Sequence, residues 1–356
     1  MMKTPEKIKS IKRFRKYTRR FFMVFYNLFF KKQSKKLPPD DFNSIIILLQ
    51  EKLGDGILMM PLLNTLHREF PDAIIDVIAS KYNHYLFENI VYIRNVFIFK
   101  KNHGQLFKSL KNQSYDIFYN PKDHASLTAT TITRKIDAKY KIGFDFDNHN
   151  KFYNILLENP EEMRIVEKNA KILELFDIDT CLDTRLHIPE ESFEYIDNLD
   201  ILSRDKKYAA INLSPGVLKR KWTVEGWAEI CRYILDNGYA DKILMIAMPR
   251  DKKDAIEIKK SIGESLVYPI ATRNLFDAAV IIKEAEFLVS PDTSLIHIAA
   301  MVGTKVIGLY SSNEKNVKRF APFAIENKVI KSEDDLISSI PADFVKKQID
   351  DLSMNQ

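Results

Sequence analysis

The sequence predicts an α/β protein of two doubly wound, parallel-sheet domains facing each other across a cleft, with a basic amphipathic helix ahead of them. Three observations carry this. The chain has 356 residues, about twice the usual length of a single domain. Short β-branched apolar runs alternate with longer amphipathic stretches, the pattern of strands buried on both faces and joined by crossover helices. Glycine is scarce, 10 in all, and half of them (Gly54, Gly56, Gly216, Gly303 and Gly308) cluster in or just beyond three strand-to-helix loops, where wound sheets bind ligands.

The first element, 1–39, is a segment of its own. Residues 1–36 hold 13 Lys or Arg against one Glu, a net +12, whereas the other 320 residues hold 41 basic and 47 acidic groups, −6. The overall +6 therefore marks one segment and not a nucleic-acid-binding face. Within 7–36 the cations flank the run FFMVFYNLFF, Phe21 to Phe30. A ten-residue helix is only about 15 Å long, half of a hydrocarbon core, so it lies in the interface and does not span. Aromatic rings suit the headgroup boundary, and each nearby Lys or Arg adds about 1 kcal/mol of attraction to anionic lipid. A solvated or partner-bound basic helix is the competing reading. A signal peptide fits less well, because Lys31, Lys32, Lys35 and Lys36 stand where small cleavage-site residues belong. Pro38 and Pro39 then break the helix and form a linker.

The first domain, 40–176, reads as strands at 45–49, 74–79, 96–99, 115–119 and 140–143. Helical stretches fall at 57–70, 105–111, 127–135 and 161–176. A polar, strand-poor connection at 177–206 crosses to the second domain, 207–330. Its strands are expected at 208–213, 242–247, 266–269, 287–290 and 305–309, and its helices near 224–237, 251–261, 274–284 and 294–302. A helical tail, 331–356, is interrupted at Pro341.

Three loops carry the chemistry. Gly54-Asp55-Gly56 follows the first buried strand; the glycines permit a tight turn and leave the Asp55 carboxylate projecting toward the interdomain space. Helix capping by Asp55 is the plainer alternative. Ser214-Pro215-Gly216 leads to Lys219, Arg220 and Lys221, cations suited to a pyrophosphate clamp, or otherwise a solvated basic turn. Asp292-Thr293-Ser294 opens a helix whose first amides, 293–295, and positive dipole end favour an anion, with His297 one turn further on.

Other classes are excluded. The chain has two cysteines, no CxxC and no His/Cys cluster, so neither a disulfide scaffold nor a structural zinc site is indicated, and a reducing compartment fits. Gly54 and Gly56 lack the third glycine of a dinucleotide fingerprint, and no GxxxxGK[ST] occurs. Asp145-Phe146-Asp147 has DxD spacing but sits in the first domain, so no metal site is expected.

The segments IIILLQEKLGDGILMMPLLNTLHREFPDA (45–73), INLSPGVLKRKWTVEGWAEI (211–230) and FLVSPDTSLIHIAAMVGTKVIGLY (287–310) together resemble glycosyltransferase family 9, the ADP-heptose:lipopolysaccharide heptosyltransferases. The resemblance spans 45–323. It implies a GT-B fold of two Rossmann-like domains, and Asp55 as the catalytic base. It implies donor binding by Ser214, by the basic residue of the second motif, and by Asp292, Thr293, Ser294 and His297. Where the family commonly has Lys two positions before the Trp, this chain has Arg220 between Lys219 and Lys221. Ser294 replaces the usual glycine. Asp251 stands where an acidic ribose contact is expected, and Thr272 matches a family Thr near the donor, though capping the next helix accounts for it equally well.

The chemistry implied is transfer with inversion. A base takes the acceptor proton, and positive charge stabilises the leaving diphosphate. The expected donor is a nucleotide-diphosphate sugar, most simply ADP-heptose, and the acceptor a lipopolysaccharide core or related lipid-linked saccharide. No cofactor, metal or nucleic-acid partner is expected. The enzyme is expected to be cytoplasmic and peripheral on the inner face of the cytoplasmic membrane, against anionic lipid through 7–36. The alternatives are a GT-B transferase of another nucleotide sugar in surface polysaccharide synthesis and a non-catalytic nucleotide-sugar-binding module.

Overall fold

The computed structural model describes residues 32–353 except 37, 50–51, 100–103, 125, 147–148, 180–182, 203–205, 268–269 and 271. Most of the basic aromatic segment therefore lies outside the described residues, as does Asp147. The chain divides into two compact units. The first holds the chain up to Lys52 with Thr65–Glu161 and Glu167–Cys181; the second holds Leu53–Asn64, Glu162–Val166 and the chain from Leu182 onward.

In the first unit, six strands form one sheet: β1 (Ser44–Leu48), β2 (Ile74–Ser80), β3 (Ile93–Phe99), β4 (Ser114–Asn120), β5 (Asp137–Phe144) and β6 (Ile155–Leu157). Their order is β3-β2-β1-β4-β5-β6, and every neighbouring pair is parallel. Ile45, Ile46 and Ile47 of β1 are fully buried, as a central strand covered on both faces requires. Phe118, Ile132 and Tyr153 belong to the core on one side of this sheet.

The second unit repeats the plan with β7 (Tyr208–Asn212), β8 (Lys242–Ile246), β9 (Leu266–Val267), β10 (Phe287–Pro291), β11 (Lys305–Tyr310) and β12 (Asn327–Lys331). The order β12-β11-β10-β7-β8-β9 is the same winding counted from β7. Both sheets start in the middle, wind outward, return and wind the other way, so each has a reversal point, between β1 and β4 and between β7 and β10. Ligands of wound sheets sit beyond the strand ends at such points. The expected pair of doubly wound parallel sheets is thus present.

Several elements differ from expectation, each for a local reason. The stretch 57–70 is two helices, α1 (Leu53–Ile57) and α2 (Met60–Glu69). Pro61 has no N–H to donate to Ile57 and its ring crowds that carbonyl, so the chain breaks at Leu58-Met59. The connection 177–206 contains a helix, Glu190–Asp197, and 331–341 is not helical apart from a 3₁₀ turn, the tail helix beginning at Ala342 behind Pro341. Strands β6 and β12 and the helix Glu314–Phe320 are too short to leave a periodic signal. Among the described residues no helix is long and apolar enough to cross a membrane.

Leu53–Asn64 is held within the second unit by polar contacts far along the chain. Buried Asn64 donates from Nδ2 to the carbonyls of Asp183 (3.0 Å) and Arg185 (2.8 Å), and its Oδ1 lies 3.0 Å from His187 Nε2.

Candidate functional site

The reversal point of the second sheet carries a buried polar network. Asn212 ends β7, where an apolar strand run turns polar. It is 2% exposed, and its Nδ2 donates to Ser290 Oγ and to Thr293 Oγ1, both at 2.9 Å. Its Oδ1 accepts from the Ser214 amide at 3.1 Å, while Ser214 Oγ accepts from the Met248 amide at 2.7 Å. Ser290 Oγ donates onward to the Pro291 carbonyl at 2.8 Å. Because burial makes any unpaired polar group costly, this network fixes the loops after β7, β8 and β10 relative to one another.

Thr293 is the N-cap of the helix Ser294–Val302, its hydroxyl accepting from the Leu295 amide at 3.3 Å. Of the amides expected to be open to a ligand, Leu295's is therefore taken by the cap, leaving those of Thr293 and Ser294 at the positive end of the helix. Asp292, 5% exposed, does not face outward as a ligand carboxylate. Arg220 Nη1 donates to its carbonyl and Nη2 pairs with its Oδ2, each at 2.6 Å, and Asn316 Nδ2 donates to Oδ2 at 2.7 Å. Arg220 is thus a brace across the turn with part of its charge already matched. Gly308 permits the close packing beneath: a Cβ there would stand 2.6 Å from the Tyr310 ring and 3.2 Å from Ile296.

The Gly54-Asp55-Gly56 segment, inside α1, lies against the same helix N-terminus. A Cβ on Gly54 would stand 3.4 Å from His297 Cδ2 and 3.8 Å from Ser294 Cα, ordinary contact distances that show how closely this segment lies against the helix start. Asp55 is the third residue of α1, half-exposed; it is not the residue ahead of the helix, as capping required. His297 is 4% exposed, and its Nδ1 is buried without a hydrogen-bond partner among the described residues. Burial, and secondarily the Arg220 charge, push the imidazole down to about 4, so it is neutral at neutral pH. A neutral ring with an unsatisfied nitrogen near a helix N-terminus and the Gly54-Asp55-Gly56 segment is equipped to hydrogen-bond a polar substrate.

The profile of glycosyltransferase family 9 (heptosyltransferase) matches residues 103–338. The chain belongs to glycosyltransferase family 9. It is 25% identical over 293 residues to the lipopolysaccharide core heptosyltransferase OpsX of Haemophilus influenzae, covering 79% of this chain and 82% of that one. A family 9 glycosyltransferase structure from Veillonella parvula superposes with a TM-score of 0.75 at 17% identity, covering 91% of this chain and 100% of the other. The E. coli heptosyltransferase WaaC with ADP gives 0.70 at 18% identity, covering 87% and 98%. The fold is therefore GT-B-like, and this family 9 member is a glycosyltransferase.

The remaining residues singled out in the sequence of this family 9 member are only partly drawn into the site. Lys219 is turned away to exposed Asp335, and Lys221 pairs with Asp254 at 2.5 Å, which raises its ammonium pKa. Of the three consecutive cations, Arg220 braces the turn. Asp251 lies ahead of the helix Lys252–Ile262 without capping it, its carboxylate 3.4 Å from Arg250 Nε. Thr272 is no cap either: Asn274 Oδ1 accepts from the Phe276 and Asp277 amides at 2.8 and 3.2 Å. Asn212, Ser290, Arg250 (which donates to the Pro215 carbonyl) and Asn316 were not singled out. Asn212 and Ser290 had one legible signal, a polar side chain in an otherwise apolar buried strand. Among the described residues no group of His, Cys, Asp and Glu is placed to hold a metal ion.

Proposed function

We propose that the protein transfers heptose from ADP-heptose, with inversion, to a lipopolysaccharide core or related lipid-linked saccharide. The observation that carries this is the packing of Gly54 on the first turn of Ser294–Val302, which puts the Asp55 segment and the anion-binding helix end in one place. The reading takes its sugar and acceptor from OpsX, and its nucleotide from the ADP held by WaaC.

Asp55 accepts the proton of the acceptor hydroxyl as that oxygen forms its bond to the anomeric carbon; the bond from that carbon to the diphosphate oxygen breaks on the opposite face, and the diphosphate leaves. The amides of Thr293 and Ser294 and the uncommitted donors of Arg220 stabilise the charge that develops on the leaving group. Ser214 holds the neighbouring loop, and His297 supplies a neutral hydrogen-bonding nitrogen. No metal or cofactor is assigned a step. Anionic lipid, met through the segment 7–36, keeps the enzyme beside a lipid-linked acceptor.

Binding and turnover of ADP-heptose against UDP-, GDP- and CMP-sugars, on the protein and on Asp55→Ala, test the reading. ADP-heptose bound by both with turnover lost in the variant is expected. Preference for another nucleotide moves the protein to a different sugar pathway, and equal turnover by the variant removes Asp55 from the mechanism.

A further inference from the structure

The chain enters the first unit along the edge formed by β5 and β6. The Gln33 amide donates to the Asn150 carbonyl (2.8 Å) and the Lys36 amide to that of Asn154 (3.1 Å), while Gln33 Nε2 reaches the Lys151 carbonyl (3.4 Å). Lys36 Nζ donates to the Lys139 carbonyl at 2.7 Å. The ammonium groups of Lys36 and Lys139 stand 5.5 and 4.9 Å from the centre of the Tyr140 ring. Lys32, Lys35, Lys36 and Lys139 are exposed here and Lys151 half-exposed, and Arg134 and Lys135, also exposed, end the helix Leu127–Lys135 just ahead of β5. Asp137 is the acid within 134–141, on a body that is otherwise net acidic.

We propose that this edge, with Lys135, Lys139 and Lys151 at its centre, is a second docking surface for an anionic lipid bilayer, acting together with the aromatic run at 21–30. The inference rests on the membrane-facing part of the proposed function and adds a face of the folded body to it. Covalent reach makes the two surfaces neighbours. Phe30 is three residues from the pinned Gln33, at most about 11 Å of extended chain, comparable with the Debye length of about 8 Å in physiological salt. A bilayer that accepts the aromatic run therefore lies close enough to be felt by the lysines of this edge. Each lysine held near an anionic surface adds to the attraction of that segment and strengthens partitioning roughly fivefold.

The test is partitioning of the full-length protein onto vesicles of equimolar phosphatidylglycerol and phosphatidylcholine, and onto phosphatidylcholine alone. Lys135→Ser, Lys139→Ser and Lys151→Ser combined are expected to weaken binding to the anionic vesicles roughly a hundredfold, while the matching Lys→Arg triple keeps it. A second full-length variant, Phe21, Phe22, Phe29 and Phe30→Ser, tests the underlying reading. If it loses binding while the Ser triple keeps it, the docking edge is overturned and the segment stands. If neither variant loses binding, both ideas fall. Binding of single-stranded RNA in place of vesicles, abolished by the Ser triple, reassigns the edge to nucleic acid and overturns the proposal.

Discussion

His297 titrates far from its ordinary value because its ring is enclosed, and that enclosure has a consequence for stability. Its pKa is about 4 folded against 6.5 unfolded, so between these values the unfolded chain binds the extra proton. The folded state is thus unaffected above pH 6.5 and loses stability as pH falls toward 4, by ~3 kcal/mol for a shift of this size. Urea unfolding at stepwise pH from neutral to 4.5 is expected to show this slope in the protein and a shallower one in His297→Gln; coincident slopes would show that some other group takes the proton. Asp55 answers to a kinetic measurement. Asp55→Asn keeps the shape of α1 but cannot take a proton, and kcat is expected to drop by about 10²–10⁴ with donor affinity unchanged. A matched loss of donor affinity would mean that the carboxylate holds the donor and does not serve as base. The Asp55 segment was legible as a candidate in the sequence because glycines flank it directly after a buried strand. The role of Asp292 was not, because its partners Arg220 and Asn316 come from positions 72 and 24 residues away.

At the scale of elements, glycines separate positions where packing decides from positions where it does not. Gly226 lies in the first turns of the helix Val224–Asp236, and a Cβ there would stand 2.8 Å from Thr223 Oγ1 and 2.9 Å from the Trp222 ring. Alanine gains up to about 1 kcal/mol of helix propensity, but overpacking costs about 1–3 kcal/mol, and loss of the Thr223 cap adds about 1 kcal/mol. Gly226→Ala is therefore expected to lower Tm. Gly216→Ala, whose Cβ would meet nothing nearer than Arg220 Nη1 at 4.0 Å, is expected to leave Tm unchanged, and thermal unfolding of the pair checks both. The strands in the sheet centres and the four long helices of the second domain were readable because each is long enough for its period to show. β6, of three residues, was not, since it is defined by pairing with β5 and not by its own composition.

The scale of the whole molecule is where sequence says least, because grouping depends on contacts between distant stretches. Nothing near Leu53–Asn64 announces that it belongs with the second unit; Asn64 is fixed there by carbonyls 119 and 121 residues later. The grouping makes a prediction about ligand binding. A nucleotide that binds only the folded second unit stabilises it by RT ln(1 + [L]/Kd), about 2.7 kcal/mol at a hundred times Kd. Amide exchange that proceeds through opening of that unit is then slowed roughly a hundredfold. With ADP at that excess, hydrogen exchange is expected to slow in Tyr208–Asn212, in Ser294–Val302 and also in Leu53–Ile57, though the last is separated from them by more than a hundred residues of chain. Ser114–Asn120 and Asp137–Phe144, in the first unit, are expected to exchange as before. Slowing confined to those two strands would place the nucleotide on the other sheet and withdraw the donor role from the loops after β7 and β10. Slowing of the second unit without Leu53–Ile57 would instead detach the Asp55 segment from the donor site, and with it the argument for Asp55 as base.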